Sequence, residues 1–214
     1  MQNQVSDKNP SKQPDSSWIG ELVRTVLLSI GLALSIRTFV AEARWIPSGS
    51  MEPTLHGTKD QWEADKIIVD KLGYKFSQPK RGDIVVFSPT KSLQKENYND
   101  AFIKRIIALP GEKVEVKDGK VYIDNQPLKE DRYLAQGERT VIDACNSGEN
   151  PVFLSKPVTI PSNSYLVLGD NRDSSYDSRC WGVVPRDNII GRAVVRFWPL
   201  NRVGGIDKEA PLYP

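Results

Sequence analysis

Two serines lie one residue apart in WIPSGSMEPTLHG, residues 45–57, between Pro47 and Pro53. A serine hydroxyl is a weak nucleophile and needs a base beside it. The chain's one histidine, His56, lies in the same Pro-kinked segment, six residues past Ser50. Such a local pair is unlike the spatial arrangement of a triad, and a loop histidine is the plain alternative. The other base open to a serine hydrolase is a neutral lysine, which requires apolar surroundings that lower its pKa. Most lysines here stand in polar runs such as KSLQKEN, VKDGK and LKEDR. Lys104 does not. In FIKRIIAL, residues 102–109, strand alternation puts Phe102, Lys104, Ile106 and Ala108 on one face and Ile103, Arg105 and Ile107 on the other. Lys104 is therefore either a desolvated amine or an edge-strand charge that blunts aggregation.

A third segment, GDNRDSSYDSRCWG at 169–182, packs Asp170, Arg172, Asp173, Asp177 and Arg179 around the hydroxyls of Ser174, Ser175 and Ser178. Mixed charge this dense suggests an ordered, salt-bridged turn whose hydroxyls could orient a buried amine; structural support alone is the other reading. Other chemistries are poorly supplied. The chain has no H-E-x-x-H, paired C-x-x-C, phosphate-binding glycine loop or G-x-S-x-G elbow. No cofactor and no metal are expected. With 29 basic against 27 acidic residues the net charge is +2, which gives no nucleic-acid footprint. Cys145 and Cys180 are too few for a disulfide framework, and sequence alone does not say whether they pair.

These segments need a scaffold. Residues 1–17 are polar and aperiodic and read as a disordered tail. Residues 18–41 read as a membrane anchor. Their charge-free centre, Thr25–Ile36, is extended by Leu22, Val23, Phe39 and Val40, with Arg24 and Arg37 able to snorkel and Trp18 and Trp45 placed as interfacial aromatics. Ala41-Glu42-Ala43 has the A-x-A form of a signal-peptide cleavage site, so a cleaved leader and self-processing are alternatives, as is a buried soluble helix. Charges on either side do not fix the orientation.

Beyond residue 44 the texture is β. DIVVF (83–87), FIKRIIAL (102–109), SYLVLGD (164–170) and IIGRAVVRFW (189–198) are rich in β-branched and aromatic residues. KVEVKDGKVYID (113–124) predicts a hairpin that turns at Asp118-Gly119.

Four boxes in order, IPSGSMEPTL (46–55), RGDIVVF (81–87), FIKRIIALPGE (102–112) and GDNRDSSYDSRCWG (169–182), resemble those of type I signal peptidases, the membrane-bound leader peptidases of bacteria. The run FIKRIIALPGEKVEVKDGKVYIDNQPL and the ending RFWPLNRVGGI further resemble the cyanobacterial and thylakoidal branch. Ser174 stands where Asn is usual, and Cys180 where an aromatic is frequent.

The resemblance implies a mainly β fold: a single N-terminal transmembrane helix followed by an antiparallel β-sheet catalytic domain of the Ser-Lys protease type. The expected division is tail 1–17, anchor 18–41 and catalytic domain 42–214, with core 42–111 and 161–214 and a β insertion at about 112–160. The resemblance further implies Ser50 as nucleophile, Lys104 as general base, Ser48 Oγ and the Ser50 N–H as oxyanion donors, and Ser175 as the group that orients Lys104. Asp177 with Arg179, and Asp170 with Arg105, would brace the loop. Ile46, Pro47, Met51, Leu55, Phe102 and Ile103 would line the substrate wall. The partners implied are signal peptides of exported preproteins and the lipid bilayer, with no nucleic acid. The catalytic domain would lie on the trans side of a plasma or thylakoid membrane. A membrane-tethered β-module that only binds peptides is the competing reading.

Overall fold

The computed structural model describes residues 17–142 and 153–206. The expected tail, apart from Ser17, lies outside the described residues, as do Cys145 and the loop 146–151. Cys180 is disulfide-bonded.

Helix α1 (Ser17–Phe39) has 23 residues, about 34 Å at 1.5 Å per residue, enough to cross a bilayer's hydrocarbon layer. Its side chains from Trp18 onward are all exposed, so it packs into no core of this chain. It ends earlier than the expected 41. Val40 N bonds back to Ile36 O, and Ala41 already pairs with Asp70 in the first strand. Ala41, Glu42 and Ala43 are thus strand residues.

The chain then continues through β1 (Ala41–Trp45), β2 (Lys66–Asp70), β3 (Ile84–Phe87), β4 (Phe102–Ala108), β5 (Lys113–Lys117), β6 (Lys120–Ile123), β7 (Gln126–Pro127), β8 (Val158–Thr159), β9 (Ser164–Leu168), β10 (Val184–Pro185), β11 (Ile189–Trp198) and β12 (Gly204–Gly205). Helices α2 (Gly73–Phe76), α3 (Lys91–Lys95) and α4 (Ser178–Trp181) are single turns between them. Eight strands form one antiparallel sheet in the order β1-β2-β11-β3-β4-β9-β10, with β12 beside β11. A second sheet, β7-β6-β5-β8, lies within the expected insertion. Its β5–β6 hairpin turns on Asp118 and Gly119, whose φ values of 53° and 79° suit the positive-φ pair of a tight hairpin.

The alternation of apolar side chains divides the core. Ile67, Val69, Ile84, Val86 and Ile103 pack with Ile46, Met51 and Leu55 on one face of the large sheet. Val85, Phe87, Ile106, Tyr165 and Val167 pack with Trp181 on the other. A register shift after Ile106 ends the simple alternation in β4. Past it, Ile107 and Ala108 join Leu166, Leu168, Val114 and Val121 in a third core that binds the two sheets together.

Two strand edges matter for the site. Among the described residues β1 is at the end of its sheet and pairs only with β2. β4 pairs with β3 from Phe102, whereas its pairing with β9 begins only at Arg105. The start of β4 therefore keeps one edge open. Residues 42–47 and 100–103 face each other across a cleft of about 400 Å³.

Candidate active site

Pro47-Ser48 runs into a 3₁₀ turn, Gly49–Met51, that carries Ser50. The turn is clamped from behind. Asn171 donates from its backbone N to Ser50 O at 3.2 Å and from Nδ2 to Gly49 O at 3.1 Å. Two glycines let other backbone come close. A Cβ on Gly169 would stand 2.4 Å from Ser50 O, and one on Gly57 would stand 1.8 Å from Ser48 O. Any side chain at either position would displace the serines.

Lys104 rises from β4 into this turn. Its Nζ lies 2.8 Å from Ser50 Oγ and 3.0 Å from Ile103 O. Both Ser50 and Lys104 are buried. Burial is the largest influence on the amine and pushes it from 10.5 down to about 8, helped by Arg179, although the Asp177 and Asp170 carboxylates pull upward. Desolvation wins because an ammonium without water loses more than the carboxylates return. Ser48 Oγ is 3.4 Å from Ser50 Oγ, long for a hydroxyl pair, so the two hydroxyls are neighbours and not firmly bonded.

The loop after β9 is held by buried ion pairs. Arg105 grips Asp170 with two bonds, Nε to Oδ1 at 2.8 Å and Nη2 to Oδ2 at 2.6 Å. Thr54 Oγ1 donates to the same Oδ2 at 2.6 Å and so fastens the serine segment to the loop. Arg179 grips Asp177 through Nε and Nη2, at 2.9 and 3.0 Å, and Gly169 N donates to Asp177 Oδ2 at 3.0 Å. Arg172 donates to Glu130 and Thr140, which ties the loop to the region of the second sheet. Tyr133 lies beneath Arg105, ring centroid to guanidinium carbon 4.1 Å.

The structure brings together Ser48, Ser50 and Lys104, and it forms both expected pairs, Asp170–Arg105 and Asp177–Arg179. Two expectations need correction. Ser175 does not orient Lys104 in this structure: its buried Oγ has no hydrogen-bond partner and lies against Gly169, while Lys104 Nζ is engaged by Ser50 and Ile103. Met51 and Leu55 do not line the cleft. Both are wholly buried in the core that also holds Ile46: Met51 ends the 3₁₀ turn, and the turn after it, closed by Leu55 N donating to Met51 O, carries Leu55 inward. Ile46, Pro47, Phe102 and Ile103 do line it. His56 pairs with Glu52 at 2.8 Å, away from Ser50. Among the described residues no group of three or more His, Cys, Asp or Glu side chains is placed to hold a metal ion.

Thr54, Asn171 and Glu130 were not singled out from sequence. Asn171 stands in the GDNRD run but carries no titratable group, and Glu130 sits in the polar LKEDR, where nothing separates it from a surface carboxylate.

Residues 19–198 match the family model described as signal peptidase, peptidase S26. The chain is 46% identical over 205 residues to a probable signal peptidase I-2 of Synechocystis sp., covering 96% of this chain and 84% of that one. It is 49% identical over 205 residues to a signal peptidase I of Leptolyngbya laminosa, with 92% and 91% covered. It is 34% identical over 209 residues to the chloroplastic thylakoidal processing peptidase 1 of Arabidopsis thaliana, covering 92% of this chain and 56% of that one.

Asp177→Ala leaves Arg179 buried without its carboxylate and is expected to destabilise the protein by about 3–5 kcal/mol. Urea unfolding of the full chain in detergent, followed by tryptophan fluorescence, measures this; a loss below about 1 kcal/mol would mean that the pair does not hold the loop.

Proposed function

The chain belongs to the type I signal peptidases, in their cyanobacterial and thylakoidal branch, and on that premise we propose that it is a membrane-anchored serine endopeptidase that removes signal peptides with Ser50 and Lys104. The observation that carries the reading is the 2.8 Å contact between Lys104 Nζ and Ser50 Oγ in a buried setting that lowers the lysine.

The substrate is an extended segment ending in A-x-A. It adds as a strand between the open edges of β1 and β4, where main-chain hydrogen bonds set its register. Side-chain alternation sends the −1 and −3 residues to the same wall, formed by Ile46, Pro47, Ile67, Val86 and Ile103. Small residues fit against a wall packed this tightly, and larger ones lift the chain from the edges. Neutral Lys104 takes the proton of Ser50 as Oγ attacks the −1 carbonyl. The Ser50 N–H and Ser48 Oγ hold the resulting oxyanion. The lysine returns the proton to the leaving amine, and water, activated by the same amine, frees the acyl-enzyme. Asn171, Gly57 and Gly169 fix the serine turn, and the two Arg–Asp pairs fix the loop behind it.

Residues 18–39 anchor the enzyme, residues 1–17 form its cytoplasmic tail, and the catalytic domain lies on the trans side, where an exported chain emerges. The family's work on exported chains is what motivates that orientation; the connection bears on how close the cleft lies to the membrane. Only Val40 separates α1 from β1, and a five-residue strand rises about 17 Å at 3.3 Å per residue. The cleft therefore opens near the bilayer that holds the substrate's own apolar stretch.

Incubating the detergent-solubilised chain with a preprotein carrying an A-x-A site tests the reading. Wild type is expected to cut after the site, Ser50→Ala and Lys104→Ala to fall to background, and Ser48→Ala to lose about 10²–10³ in turnover. Cleavage persisting in the Ser50 and Lys104 variants would overturn the dyad, and no cleavage by wild type would leave the peptide-binding module. The working form of Lys104 is the uncharged one, so activity must rise with pH. With the amine near 8, kcat/KM should gain about tenfold per unit up to neutrality and level off above about pH 9. A profile flat from pH 6 to 9 would contradict a lysine base.

A further inference from the structure

The second sheet sends one segment to the catalytic loop. Residues 128–140, LKEDRYLAQGERT, leave the β5–β6 hairpin and return to it. Leu128 N donates to Val121 O at 2.8 Å, and Thr140 N donates to Gly119 O at 2.9 Å. The arch between these two feet carries Glu130, Tyr133 and Thr140, all buried. A carboxylate taken out of water in so polar a run calls for a partner.

The partner is Arg172, which is wholly buried. Its Nη2 donates to Glu130 Oε1, and its Nη1 donates to Glu130 Oε2 at 3.2 Å and to Thr140 Oγ1. Tyr133 Oη donates to Glu130 Oε1 from the other side. A guanidinium is planar, so a carboxylate that takes both Nη groups also fixes where Nε points. Here Nε points back into its own turn and donates to Gly169 O at 3.0 Å.

That bond closes the turn 169–172. Gly169 is then held at both ends, its N by Asp177 and its O by Arg172. The two residues inside the turn both reach the serine segment. Asp170 accepts from Thr54 Oγ1, and Asn171 donates to Gly49 O and Ser50 O. Gly169 itself lies so near Ser50 O that a Cβ on it would stand at 2.4 Å. A small rotation of this turn therefore reaches the backbone of the nucleophile. A buried ion pair can serve stability alone. Glu130 differs in where its partner's remaining donor goes, onto the turn that backs Ser50.

We propose that Glu130 is a positioning residue for peptide cleavage: it orients Arg172, Arg172 closes the 169–172 turn, and the turn sets Ser50 in register with Lys104. This rests on the endopeptidase reading above. The second sheet thus serves the reaction from behind the serine turn.

The test uses the full chain in detergent and a peptide with an A-x-A site. Both kcat and KM are expressed per folded molecule, the folded fraction being read from tryptophan fluorescence in urea. Glu130→Gln keeps the shape and removes the charge. It should lower kcat by about tenfold or more and leave KM within about twofold, as expected when a nucleophile is slightly misplaced. Thr140→Val removes one acceptor of Arg172 and no charge. It should lower kcat by about threefold in the same manner, and it carries the test if Glu130→Gln does not fold. Asn171→Ala breaks the turn's own hold on Ser50. Combined with either variant, it should cost less than the product of the two single losses, because both act through one turn. An unchanged kcat per folded molecule, a loss carried by KM, or single losses that simply multiply would overturn the positioning role while leaving the endopeptidase reading intact. No cleavage by wild type would overturn the endopeptidase reading, and the positioning role with it.

Discussion

Everything at the centre of this protein depends on keeping one amine dry. Lys104 can stand 2.8 Å from Ser50 as a base only because burial outweighs the two carboxylates that would otherwise keep it protonated. The balance is narrow by design of the loop. Asp170 and Asp177 lie close enough to matter, yet each is committed to its own guanidinium, Arg105 and Arg179. Those bidentate pairs satisfy the carboxylate oxygens and spend much of their field locally. Removing an arginine would turn its carboxylate toward Lys104 and raise the amine, so the ion pairs act on the chemistry as well as on the fold.

The same pairs connect distant parts of the chain. Asp170 joins Thr54 from the serine segment to Arg105 from β4, the neighbour of Lys104. Asn171, one residue on, holds the carbonyls of Gly49 and Ser50. Nucleophile, base and loop are therefore registered against one another by side chains within a few residues of the reacting atoms. The sheet contributes the other constraint. Among the described residues it leaves one edge of β1 and one edge of the start of β4 open where a substrate strand can enter, and α1 is joined to β1 by one residue.

Much of this was legible in the sequence where a rule of period or turn applies. IIGRAVVRFW, 189–198, is a strand over its full predicted length, and the Asp118-Gly119 hairpin turns where its residues demand. The pairing of Ser50 with Lys104 was legible as a possibility from the apolar neighbours of Lys104, and the family resemblance narrowed it. What escaped was set by three-dimensional crowding. Ser175 was expected to reach Lys104, but its rotamer and the backbone at Gly169 place Oγ elsewhere. Met51 and Leu55 were expected at the cleft, but the 3₁₀ turn that ends at Met51 and the turn that follows it to Leu55 put both in the core. Alternation in β4 held only as far as the register shift after Ile106. Glu130 supports Arg172 from 42 residues away, a contact that no local pattern announces.

The central claim is that burial lowers Lys104 far enough for a working fraction of the amine to be neutral near physiological pH in the resting enzyme. Nitrogen-15 NMR of lysine Nζ, with the Lys104 signal assigned by its loss in Lys104→Met, measures this directly in detergent-solubilised protein. The account predicts a titration midpoint near 8. A midpoint at the ordinary lysine value of 10.5 would contradict it, whatever the geometry around Ser50.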